Sequence, residues 1–165
     1  MALVSYPDPL LQQKAVPAPV DDRLRGVADR LVAAAREARA YGLAAAHIGE
    51  IAPIVVVNVT PEALAPDYLV LFNPEIIATA TETAAGTEGS VSLPGVEVSI
   101  ERPVWAEIAF DDREGQRRQQ RFEGFVARCV LHEIEQVHGI LFLMRLTRLK
   151  RDMVLKRWRK QGRVG

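Results

Sequence analysis

The residues best suited to chemistry lie in Leu131-His132-Glu133-Ile134-Glu135-Gln136-Val137-His138-Gly139. Two histidines four apart on a helix, with glutamate after the first, make the zinc-hydrolase pattern: both rings bind the ion and the carboxylate handles its water. His132 and Glu133 hold their places, but the position four beyond His132 is Gln136. At about 100° per residue Cys129, His132, Glu133 and Gln136 share one helix face, and His138 falls roughly opposite Cys129. His138 therefore cannot replace the second histidine from the same helix. A partly buried polar face explains His-Glu-x-x-Gln without any ion. Cys129, one turn before His132, would make a Cys-His dyad, but a lone cysteine on such a face is usually packing. Ser90 and Ser92 lack the Gly-x-Ser-x-Gly elbow of a serine hydrolase, and no phosphate-binding glycine loop occurs.

These side chains need a scaffold, and the chain spells one out. Pro7, Pro9, Pro17 and Pro19 predict an extended, helix-poor start. Asp21 is placed to cap a helix running to about Tyr41, with Leu24, Val27, Leu31, Ala35 and Ala38 at helical spacing and Gly42 as its stop. Strand signals follow over 53–59, 69–73, 76–83, 96–100 and 104–110, with a turn at 111–115 and a returning strand at 119–122. After Gly124 the period turns helical to a stop at Gly139, and Thr147 caps a last, basic helix to about Lys160. The sum is an α+β protein.

Composition narrows the class. The 165 residues are 48% hydrophobic and 25% charged, which suits one domain over 1–165 with its own core. The single cysteine excludes a disulfide framework or a site of several thiolates. The opening MALVSYPDP has neither a basic nor an apolar leader region, and the longest apolar run, 54–57, is far too short for a bilayer. A cytoplasmic location without membrane contact is expected. Net charge is zero but segregated: residues 145–163 hold nine basic residues and only Asp152 as acid, leaving 12 basic and 20 acidic residues elsewhere. A basic tail of that kind, 145–165, invites a polyanionic partner, or is a solvated helix. With Trp158 as its lone aromatic, sequence-specific DNA binding is not expected.

Two further segments give the His-Glu pair its context: Gly42-Leu43-Ala44-Ala45-Ala46-His47-Ile48-Gly49, and Glu88-Gly89-Ser90-Val91-Ser92-Leu93-Pro94-Gly95. With His132-Glu133, their order and spacing resembles the peptide deformylases, which remove the N-formyl group from nascent chains. The resemblance runs from Tyr6-Pro7-Asp8-Pro9-Leu10 through Arg102-Pro103 to Gly139-Ile140-Leu141-Phe142 and the basic helix. It implies that family's fold, antiparallel sheets around a central HExx(H/Q) helix with N- and C-terminal helices. It also implies a peptide N-terminus, formylated or otherwise, as ligand, and a ribosome contact through the basic helix. It implies Glu133 as general acid/base, with Leu43 and Glu88 retained and Glu88 paired with Arg102 beside the pocket. The family's metal ligands are Cys-His-His on a divalent iron or zinc; here Ser90 and Gln136 stand at two of those positions and only His132 matches. His47 stands where the family has glutamine, facing the bound water and formyl oxygen. A hydroxyl and a carboxamide are poor ligands for borderline-soft metals, so ordinary deformylation is expected to be weak or absent. The residues themselves establish no cofactor. The alternative is an active metal hydrolase on N-formyl or other N-acyl peptides, its site rebuilt from His47 and His132 with Glu88, Glu133 or Gln136. Against that, His47 is expected to hydrogen-bond Glu133 or Ser90 in a pocket without metal.

Overall fold

A computed structural model describes residues 2–164, excepting the side chains of 163 and 164. Its three helices and seven strands form a mixed helix and antiparallel-sheet fold, as expected. Helix α1 (Asp22–Ala38) begins at the predicted cap, where Asp21 Oδ1 accepts the Leu24 N–H at 2.8 Å. It stops three residues early, at Arg39 in the left-handed region (φ 52°), and Gly42 instead opens strand β1 (Gly42–Ala44). The proline-rich start also holds a short 3-10 turn, Pro9–Gln12, capped by Asp8.

Strand β2 (Ile54–Asn58) is buried throughout. Its alternation is nonetheless readable: Ile54 and Val56 pack against α1 with Leu24, Leu31 and Phe72, while Val55 and Val57 pack against helix α2 (Gly124–Val137) with Val130 and Ile134. The sheet between the two helices is antiparallel, in the order β1, β2, β3 (Tyr68–Thr79), β6 (Trp105–Asp111), β7 (Arg117–Glu123). The segments expected over 69–73 and 76–83 join in one strand, β3, which ends at Thr79 and pairs irregularly where Asn73 takes φ 49°. Strands β4 (Thr83–Ser90) and β5 (Leu93–Pro103) form a separate two-stranded ladder. Helix α2 ends before Gly139 (φ 77°), the expected stop. Helix α3 (Arg148–Val164) starts after Thr147, whose Oγ1 accepts the Lys150 N–H, and lays Val154, Leu155 and Trp158 against Leu93, Val96 and Ile100 of β5. Among the described residues no helix is long and apolar enough to cross a membrane.

Candidate active site

Helix α2, β1 with the turn after it, and the β4–β5 ladder enclose a cleft of about 380 Å³. Six of the residues singled out from sequence line it: His47, Glu88, Ser90, Cys129, His132 and Glu133. Leu43 and Gln136 do not. Leu43 is fully buried in the core beneath α1, and Gln136 turns away, its Nε2 donating to the Leu11 carbonyl oxygen at 2.6 Å. Gly42 is required here for closeness. A Cβ on it would lie 3.0 Å from Glu133 Cγ and 3.2 Å from the Val56 carbonyl oxygen.

The best-partnered group of the site is Glu88. Arg102 grips it with two donors (Nε to Oε2 2.7 Å, Nη2 to Oε1 2.9 Å), Arg128 Nη1 adds a third at 2.8 Å, and His132 Nδ1 lies 2.8 Å from Oε1. Burial alone would raise its pKa, but the hydrogen bonds of His132 and Arg102 hold it down at about 2. Glu88 is thus a fixed anion, and His132 Nδ1 carries the hydrogen toward it, which orients the ring. Burial pulls the His132 pKa down, but the charge of Glu133 and the Glu88 hydrogen bond outweigh it and leave it above the ordinary histidine value. The opposite end of Arg102 pairs with Glu135, which Arg145 also reaches at 3.1 Å. Phe142 stacks at a tilt on the His132 ring, 5.2 Å between centroids.

His47 is unlike its neighbour. Burial first, and the charge of His132 second, push its pKa down to about 3, so the ring is neutral. Its Nδ1 accepts the Ala44 N–H at 3.0 Å, which places the ring hydrogen on Nε2. That Nε2 and Glu133 Oε1 are the two buried side-chain polar atoms without a partner among the described residues. The expected hydrogen bond from His47 to Glu133 or Ser90 is replaced by the one from Ala44. Its Nδ1 stands 3.9 Å from Glu133 Oε1, and with a neutral ring this is contact rather than an ion pair. Burial raises Glu133 to about 7. Ser90 Oγ is engaged by Ser92 Oγ at 2.8 Å. Cys129 packs at the edge of the α2 core, its thiol pushed up to about 12 by burial and by Glu133, and so stays protonated and a poor nucleophile. Among the described residues no three His, Cys, Asp or Glu side chains gather as a metal would require.

The sequence profile described as Polypeptide deformylase matches residues 1–152. This chain belongs to the peptide deformylase family. The family is one of metal-dependent hydrolases acting in protein biosynthesis. A "Peptide deformylase-like" protein of Rhizobium meliloti (strain 1021) is 40% identical over 163 residues, covering 98% of this chain and 93% of that one. A "Peptide deformylase" of Mesorhizobium japonicum is 37% identical over 159 residues, 96% and 90% of the two chains. The crystal structure of peptide deformylase from Ehrlichia chaffeensis superposes with a TM-score of 0.91 at 28% identity, covering 99% of this chain and 97% of that one. The Glu88–Arg102 pair expected from the resemblance is present. Sequence reasoning missed Arg128, although its place one turn before His132 on the same face was a usable signal.

Proposed function

We propose that this peptide deformylase relative receives a peptide N-terminus, N-formylated or otherwise N-acylated, in the cleft, and that metal-dependent deformylation in it is weak or lost. The observation that carries this is Gln136: its amide is spent on the Leu11 carbonyl, away from the cleft. Ser90, the other exchanged position, offers a neutral hydroxyl already bonded to Ser92. His132 alone then remains of the three family ligands, and the donor set does not fit a divalent iron or zinc ion. The rebuilt site fares no better. With Nδ1 accepting from Ala44, His47 carries hydrogen on Nε2 and offers a metal no lone pair there.

What the cleft does offer is hydrogen bonding. The His47 Nε2–H is a donor lacking an acceptor, and Glu133 Oε1, with a carboxyl at about 7, can accept or donate near neutral pH. A planar amide supplies the complement, its carbonyl to His47 and its N–H to Glu133. The exposed cations of α3, among them Lys150, Lys156, Arg157, Arg159 and Lys160, fit a polyanion such as ribosomal RNA as partner, while Val154, Leu155 and Trp158 anchor the helix. The test pairs titration calorimetry of formyl-Met-Ala-Ser with elemental analysis of anaerobically purified protein. Saturable peptide binding, well under one iron, zinc or nickel per chain and no formate release are expected. Stoichiometric metal that resists mild chelation, together with formate release, would overturn the reading.

A further inference from the structure

Arg128 reaches from α2 across to the β4–β5 ladder. Its Nη1 donates to Glu88 Oε2 at 2.8 Å and to the Ile100 carbonyl at 2.7 Å, and its Nη2 donates to the Ala84 carbonyl at 2.8 Å. The guanidinium lies flat on Gly86, where a Cβ would come within 2.7 Å of both Cζ and Nε. The side chain is 11% exposed. A surface arginine moves freely in solvent; this one is clipped at its far end to both strands and seated on a residue without a side chain.

The consequence is spatial. Arg128 precedes His132 by one turn, about 6 Å along α2, on the cleft-lining face. It crosses the gap between the helix and β4, the two walls of the cleft at that end. An apolar group entering the gap must either displace a guanidinium from three acceptors or lie against a cation it cannot pair with. We propose that Arg128 is a specificity-determining bar, which makes the cleft favour N-acyl peptides whose first residue is small, glycine or alanine, over those beginning with a long apolar residue such as methionine. The inference rests on the cleft being a peptide N-terminus site.

Titration calorimetry with formyl-Gly-, formyl-Ala- and formyl-Met-Ala-Ser tests it on the full chain and two variants. Arg128→Ala removes the bar; Arg128→Met keeps the length and helix propensity but not the charge or its acceptors, and serves if the alanine variant folds poorly. The unchanged chain is expected to bind formyl-Ala about tenfold tighter than formyl-Met, the scale on which a pocket senses one or two methylenes. In both variants the ratio of formyl-Met to formyl-Gly affinity is expected to rise at least about tenfold over that of the unchanged chain. Equal affinities for all three peptides in the unchanged chain, or a preference that persists in both variants, would reduce Arg128 to a staple between α2 and the ladder and overturn the proposal. If no formyl peptide binds any of the three proteins, the peptide-site reading fails and the bar fails with it.

Discussion

Restoring histidine at position 136 sets a hydrogen bond against a metal site. Gln136 is 2% exposed, and its Nε2 supplies the bond to the buried Leu11 carbonyl, tying α2 to the N-terminal 3-10 turn. Gln136→Leu keeps much of the volume and removes the donor, leaving that oxygen unpaired at a cost of about 1–3 kcal/mol. For a chain of this size each kcal/mol moves Tm by about 2–4 °C, so a fall of roughly 2–12 °C is expected, with or without metal. Ser90→Cys with Gln136→His gives up the same bond but supplies thiolate and imidazole beside His132. In chelator it should melt as low as Gln136→Leu. With zinc at about 100 times its Kd it should regain about 2.7 kcal/mol by mass action. Adding His47→Gln should then raise turnover of a formyl-Met peptide. Scanning calorimetry of the variants, with chelator and with zinc, measures each step. Gln136→Leu melting with the unchanged chain would remove the tether from the argument, and a double variant indifferent to zinc would show that His132 is not placed to share an ion.

Glu133 should make stability fall with pH. Its carboxyl titrates at about 7 in the fold against 4.5 when free, so folding favours the protonated form and the penalty develops as pH rises from about 4.5 through 7. Glu133→Gln should therefore gain on the order of 3 kcal/mol over the unchanged chain at pH 8 and nearly nothing at pH 4, as read by urea unfolding; equal gains at both pH values would contradict this. Glu88→Gln takes from Arg128 its carboxylate and from Arg102 one of two inside the fold and should cost about 3–5 kcal/mol, a loss a urea melt resolves; a cost below about 1 kcal/mol would mean that solvent reaches the network. Replacing Lys156, Arg159 and Lys160 by glutamine should weaken cosedimentation with ribosomes, and salt should weaken that of the unchanged chain steeply, by about 0.7–0.9 in log-log slope per phosphate contacted. Salt-insensitive sedimentation would leave α3 a solvated surface.

How much of this was legible depended on the range of each interaction. The Asp21 cap, the apolar β2 and the α2 face are written in residues within one or two turns of each other, and they fold as read. Strand β4 was missed because Thr83-Ala84-Ala85-Gly86-Thr87 shows no alternation: it is largely exposed and held by pairing to β5. Gly42 resembled a helix stop, but its reason is the nearness of Glu133, 91 positions along the chain. Helix arithmetic puts Gln136 on the His132 face, yet nothing local foretells that its amide turns to Leu11. The tautomer of His47, which decides what that ring can bind, likewise depends on a backbone N–H that no motif contains.

The crowding of donors on Glu88 has an evolutionary corollary. One carboxylate orients His132, pairs with the buried Arg102 and holds an end of Arg128, so a change at Glu88 reaches all three positions at once. A replacement at Glu88 frees the His132 ring, leaves Arg102 with Glu135 alone and takes the carboxylate from Arg128 in a single step, which makes it a poor first move on any mutational path. Arg128 is the exchangeable partner. Losing it still leaves Glu88 with Arg102 and His132, and opens Gly86 to whatever side chain position 128 next acquires. Lineages descending from this sequence should therefore vary first at 128 and 86, in correlated pairs, around an unchanging Glu88.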